Sequence, residues 1–141
     1  MKRRTAVAAL LVLLVSGCNA GSAVNDFGKV VQGEKGGTTQ VEVVKGQRFS
    51  LSVPENPSVG DAWELVAVPD PKVASFISKE RVGGGDEPGS GGSAYFVFNA
   101  KHPGTTEVKL YDCYRCSGSR TPSAPDSVQN SGTATFTVTV S

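Results

Sequence analysis

Cys113-Tyr114-Arg115-Cys116 brings two thiols close together, and the CxxC spacing admits three chemistries. Thiol–disulfide exchange wants such a motif at a helix N-terminus, where the thiolate is stabilised. The flanking residues alternate like strands and offer no such helix. Zinc would need two more ligands, and the chain has a single histidine, His102, set in a Pro-Gly turn. A disulfide is the simplest reading, with free thiols as its alternative. The bridge demands a bend. Four consecutive extended residues would hold the two Cα atoms about 10 Å apart, beyond the ~7 Å limit for a disulfide. A tight turn at Tyr114-Arg115 is therefore expected. With one imidazole in the chain, no Ser/Cys-His-acid set can be assembled near these residues. Neither an enzyme, nor a metal site, nor a cofactor is expected.

A second group has the chemistry of recognition. Pro54-Glu55-Asn56-Pro57-Ser58-Val59-Gly60-Asp61-Ala62 separates two strand-like runs. Pro57 fixes its own φ and biases Asn56 away from the helical region. Gly60 permits a backbone turn that a side chain would obstruct. A stiff loop loses little entropy when it binds. Trp63, just beyond, opens the next strand and reads as core or loop support. Gly89, Gly91 and Gly92 would let backbone approach another surface closely. A flexible linker is the alternative there, given Gly83-Gly84-Gly85 upstream. No strand-to-helix context makes this stretch a phosphate loop.

The N-terminus carries an address. Lys2, Arg3 and Arg4 precede an apolar run over residues 6–15, too short to span a bilayer. Val15-Ser16-Gly17-Cys18 resembles the lipobox of bacterial lipoproteins. Residues 1–17 are thus expected to be a lipoprotein signal peptide, with Cys18 the lipid attachment site. Residues 18–37, poor in large apolar side chains, would be a flexible tether, and 38–141 one folded domain. The chain is expected to be exported, lipid-anchored to the bacterial cell membrane, and monomeric. Export also favours a disulfide between Cys113 and Cys116. Three of the 14 basic residues lie in the leader, leaving 11 against 13 acids. That is no basic footprint, so nucleic acid is not an expected partner.

Elements that position these residues follow from period-two alternation. Val41 and Val43 alternate with polar neighbours, as do Phe49, Leu51 and Val53, Phe96 and Phe98, Val108 and Leu110, and Ala134, Phe136, Val138 and Val140. Two less regular runs, 62–68 and 73–79, bring the total to about seven antiparallel strands. The expected fold is all-β, an immunoglobulin-like β-sandwich. Three connections are short (45–47, 69–72 and 101–104) and three are long (54–61, 80–92 and 112–131). In a chain that reverses at each connection, alternate loops emerge at the same end. The three long loops therefore share one pole, and long loops in a compact domain usually carry function.

Asn56-Pro57-Ser58-Val59-Gly60…Trp63 resembles the Asn-Pro-Thr-Thr-Gly…Trp loop of chagasin-like inhibitors of papain-family cysteine proteases. The glycine loop and the third loop follow in that family's order, so the resemblance spans roughly residues 38–141. It implies a reversible, non-covalent inhibitor that occludes the active-site cleft of a papain-like cysteine protease with three loops. The contact residues would be Asn56, Pro57, Ser58, Val59, Gly60 and Asp61, then Gly89, Gly91 and Gly92, then Tyr114 and Arg115. Ser58-Val59 stands where the family has two threonines, and Asp61 where it usually has a tyrosine. The third loop lacks the family's Arg-Pro-Trp or Arg-Pro-Phe. A ligand- or protein-binding surface lipoprotein without inhibitory activity, built on the same scaffold, is the alternative.

Overall fold

Alternation along the chain becomes two facing sheets because each strand has one apolar side to bury. The computed structural model describes residues 25–83 and 89–141. The signal segment and Cys18 lie outside the described residues. The elements are β1 (Lys29–Gln32), β2 (Thr38–Val43), β3 (Arg48–Glu55), β4 (Trp63–Ala67), β5 (Ala74–Gly83), β6 (Gly92–Ala100), β7 (Gly104–Asp112), α1 (Pro125–Asn130) and β8 (Gly132–Val140). One sheet has the order β1-β3-β6-β5 and the other β2-β8-β7-β4. Phe49, Leu51, Val53, Phe96 and Phe98 from the first sheet share one buried cluster with Val41, Trp63, Val108, Leu110, Phe136 and Val138 from the second. The immunoglobulin-like sandwich read from the sequence is the architecture found.

Two details differ. Among the described residues there are eight strands, and two pairings are parallel rather than antiparallel: β1 with β3, and β2 with β8. The extra strand lies inside the stretch expected to be a flexible tether. Its signal was slight because β1 is a short edge strand with mostly exposed side chains, and only Val31 packs on the core. The residues before it are held as well. Phe27 stacks on Tyr95 at 4.7 Å, and Ser50 Oγ donates to the Phe27 carbonyl at 2.6 Å. This covering explains why Ser50 and Ser52, polar residues out of phase with the core, are buried. After β1 the chain crosses between sheets at Gly33, where a Cβ would lie 2.4 Å from the Phe136 ring. Only a residue without a side chain makes that crossing.

Register fixes which connections share a pole. Glu55 pairs with Gly92, Gly92 with Gly83, Trp63 with Asp112, and Asp112 with Gly132. The ends of all three long connections therefore meet at one end of the sandwich. The β1–β2 crossover at residues 33–37 joins them there, since β1 runs in the same direction as β3.

Candidate functional site

The first long loop, residues 56–62, is built as two overlapping turns. Val59 and Asp61 backbone N–H groups both donate to the Asn56 carbonyl at 3.2 Å, and Gly60 N–H donates to the Pro57 carbonyl at 3.1 Å. The Asn56 side chain extends the set: its Oδ1 accepts from Ser58 N–H at 3.1 Å. Asp61 closes the loop by accepting the Asn56 N–H at 2.8 Å through Oδ2. Gly60 has φ +115°, a region that side chains rarely tolerate. The product is an exposed crest, Pro57-Ser58-Val59, on a base whose polar groups are satisfied internally. Val59 presents an apolar side chain, 41% exposed, at that crest.

The base is clamped to the sandwich by two buried acids. Glu55 Oε1 accepts from the Trp63 backbone N–H at 3.3 Å and from Lys79 Nζ at 2.8 Å, while Oε2 meets Arg81 Nε at 2.7 Å. Lys79 also donates to the Trp63 carbonyl at 2.8 Å. Trp63 itself is buried, and its indole N–H donates to the Pro54 carbonyl at 2.9 Å. Its place is in the core below the loop, away from the crest. Asp112, fully buried, accepts from Ala62 N–H at 2.6 Å and pairs with Lys35 at 2.6 Å. Burial pushes the Asp61 carboxyl above its usual range. The Asn56 amide opposes that shift, the nearby Asp112 adds to it, and Lys35, 4.0 Å away, opposes it.

The other two loops touch the first directly. Asn56 Nδ2 donates to the Gly89 carbonyl at 3.0 Å, and Gly91 approaches the Asn56 side chain. Gly92 is placed differently from Gly89 and Gly91. It lies inside β6, where a Cβ would come within 2.6 Å of the Val82 carbonyl, so its smallness serves strand approach. On the opposite side Arg115 N–H donates to the Gly60 carbonyl at 2.9 Å, and Arg115 Nε to the Val59 carbonyl at 3.0 Å. A Cβ on Gly60 would fall 2.4 Å from Arg115 Cγ, so the two residues fit only as a glycine and a folded-back arginine.

Cys113 and Cys116 are bridged, with Cα atoms 5.6 Å apart. The required bend is at Arg115, whose φ of +51° is in the left-handed region. Arg115 does not simply project from the turn: its guanidinium lies beside the Tyr114 ring at 5.1 Å and meets Asp126 at 3.3 Å. The long third connection also contains α1, begun by Pro125 in the first helical turn, where its missing N–H costs nothing. Buried Ser127 of that helix donates through Oγ to the Tyr114 carbonyl. Beside the crest, a groove of about 440 Å³ runs between the first and third loops, lined in part by Pro57, Val66, Tyr111 and the disulfide. Its two sulfurs are joined and therefore supply no thiolate nucleophile.

Glu55, Asp112 and Lys35 were absent from the residues singled out by sequence. The two acids had a readable signal: Glu55 continues the inward phase of Phe49, Leu51 and Val53, and Asp112 that of Val108 and Leu110. Lys35 had none, because its place depends on how the crossover folds back.

Comparisons with known proteins agree with this architecture. The cysteine protease inhibitor EhICP2 of Entamoeba histolytica is similar over 80% of this chain and 96% of its own, at 15% identity and a TM-score of 0.54. Amebosin, solved in solution, is similar over 81% and 98%, at 21% identity and a TM-score of 0.52. PbICP-C, solved in complex with falcipain-2, is similar over 81% and 100%, at 15% identity and a TM-score of 0.59. At such identities the likeness shows the fold. No curated protein matches the chain in sequence. The model of the chagasin family of peptidase inhibitors, I42, matches residues 42–140, which contain the crest, both of its neighbours and every strand after β1 and the start of β2. This chain belongs to the chagasin family, whose members inhibit proteases and are not enzymes.

Proposed function

We propose that the chain is a reversible, non-covalent inhibitor of papain-like cysteine proteases that fills the active-site cleft with its three long loops. One observation carries the reading: an exposed Pro57-Ser58-Val59 crest stands on a base locked by internal hydrogen bonds and flanked by the other two loops. Such a wedge loses little entropy on insertion. The structural neighbour solved with falcipain-2, a papain-like enzyme, supports the partner class.

The same hydrogen bonds argue for survival in the cleft. Cleavage needs a peptide carbonyl free to turn into the oxyanion hole in attack geometry. The carbonyls of Asn56, Pro57, Val59 and Gly60 are already engaged within the loop or by Arg115. Asn56, Pro57, Ser58, Val59, Gly60 and Asp61 form the central wedge on this reading, with Gly89, Gly91, Gly92, Tyr114 and Arg115 at its sides. Trp63 supports the wedge from below. The chain acts as a monomer, exported and held to the bacterial cell membrane by lipid on Cys18.

Titration of papain-like enzymes with the chain tests this. Inhibition should be competitive with peptide substrate, relieved on dilution, and leave the chain at its intact mass. A binding lipoprotein without inhibitory activity is the second reading. It is favoured by the third loop, where Arg115 folds back on the first loop and Tyr114 is half-buried. No inhibition by high micromolar chain, across several such enzymes, would establish that reading instead.

A further inference from the structure

Lys35 lies upstream of the matched residues 42–140, in the β1–β2 crossover. Gly36 N–H donates to the Thr133 carbonyl and Thr135 N–H to the Gly37 carbonyl, so the crossover is seated on the start of β8. That seat directs Lys35 beneath the loop pole. Its ammonium is 2.6 Å from Asp112 Oδ2 and 4.0 Å from Asp61 Oδ1, and it donates to the Asn130 carbonyl at 2.7 Å. It also sits 5.7 Å from the Trp63 ring centroid and 5.8 Å from that of Tyr114. Asp61 and Trp63 end the first loop, Asp112 and Tyr114 begin the third, and Asn130 is near its end. One cation thus meets the roots of two loops at once.

We propose that Lys35 is a positioning residue of the loop pole. It holds the Asp61 carboxylate that in turn fixes the Asn56 amide, and so sets the crest against the third loop. The inference rests on the inhibitory reading of that pole. A compact ammonium suits the role because it can face several acceptors at once, whereas a guanidinium is a planar fork. The fully buried Asp112 anchors the ammonium, since an uncompensated charge there is strongly unfavourable. Asp61, only partly buried and farther from the ammonium at 4.0 Å, is the adjustable partner, and it belongs to the loop that would enter a protease.

Lys35→Met alone strands the Asp112 charge and endangers the fold, so the deciding variant is Lys35→Met/Asp112→Asn. It removes both charges and keeps an oxygen for the Ala62 N–H. This variant should stay folded, while the Asn56 and Arg115 amides exchange hydrogen about tenfold faster or more, as expected of a loosened loop. Inhibition of a papain-like protease should weaken by about tenfold or more. Lys35→Arg should recover part of both effects. A folded double variant with unchanged amide exchange would overturn the proposal, whatever its inhibition. Loss of the fold in the double variant would also overturn it, by making Lys35 a residue of the core. If the parent chain inhibits nothing, the proposed function fails, yet the exchange comparison still decides whether Lys35 positions the loops.

Discussion

Gly60 is where backbone and side chain constraints coincide. Its φ of +115° disfavours any Cβ, and that Cβ would strike Arg115 Cγ at 2.4 Å. Gly60→Ala should therefore shift the crest and detach Arg115, weakening inhibition by about tenfold or more. Melting temperature should fall by only a few degrees, because the core is untouched. Asp61 gives a second residue-scale test. Burial raises its pKa in the folded chain, with Asn56 and Lys35 opposing and Asp112 adding. The folded state then holds this proton more tightly than the unfolded state, so stability from this group falls as pH rises above 3.8, its ordinary value. Denaturant unfolding of the parent and of Asp61→Asn should show the variant gaining relative stability between pH 3.8 and neutrality. The opposite slope would mean that Lys35 and the Asn56 amide outweigh burial. Asn56, Pro57 and Gly60 were legible in the sequence because their constraints are local. Lys35 was not, since a lysine among glycines acquires its partners only through a sheet-to-sheet crossover.

Among the elements, strands were legible wherever one face met the core and the other met water. β1 escaped because an edge strand with a single packed valine leaves almost no alternation to read. α1 escaped because six residues show too little periodicity. The inward phase of β3 and β7 was readable to their last residues, where it ends on acids rather than on apolar side chains. Glu55 is one of them, with Lys79 and Arg81 on its two oxygens. Glu55→Ala would leave the buried Trp63 N–H without its acceptor and take the carboxylate from Lys79 and Arg81, which keep access to water, and should cost ~1–3 kcal/mol in denaturant unfolding. A cost below ~1 kcal/mol would show that water replaces the carboxylate. The disulfide should behave in the reverse manner. It closes a very small ring, so Cys113→Ser/Cys116→Ser should change global stability little. Releasing Tyr114 and Arg115 should instead weaken inhibition about fivefold or more, since ordering each of the two side chains costs ~0.5–1.5 kcal/mol. The assay requires protease activated beforehand and freed of excess thiol, which would otherwise open the bridge in the parent too.

At the scale of the whole molecule the sandwich is polar. The described chain enters at the pole of the short turns, since Lys29 pairs with Phe49 near the start of β3. The long loops lie at the far pole, across the length of β8, nine residues or about 30 Å. A lipid on Cys18 would therefore hold the loops away from the membrane. Vesicle-bound chain should then inhibit a soluble protease as tightly as detergent-solubilised chain, and a loss of about tenfold on vesicles would place the loops against the lipid. Inhibition by this chain requires the crest to occupy the catalytic cleft. Alkylation of the protease's active-site cysteine by iodoacetamide, followed as a function of added chain, tests it most directly. Protection should rise with occupancy, follow the same concentration dependence as inhibition, and reverse on dilution. A catalytic thiol alkylated at its free rate while the chain is demonstrably bound would contradict the account.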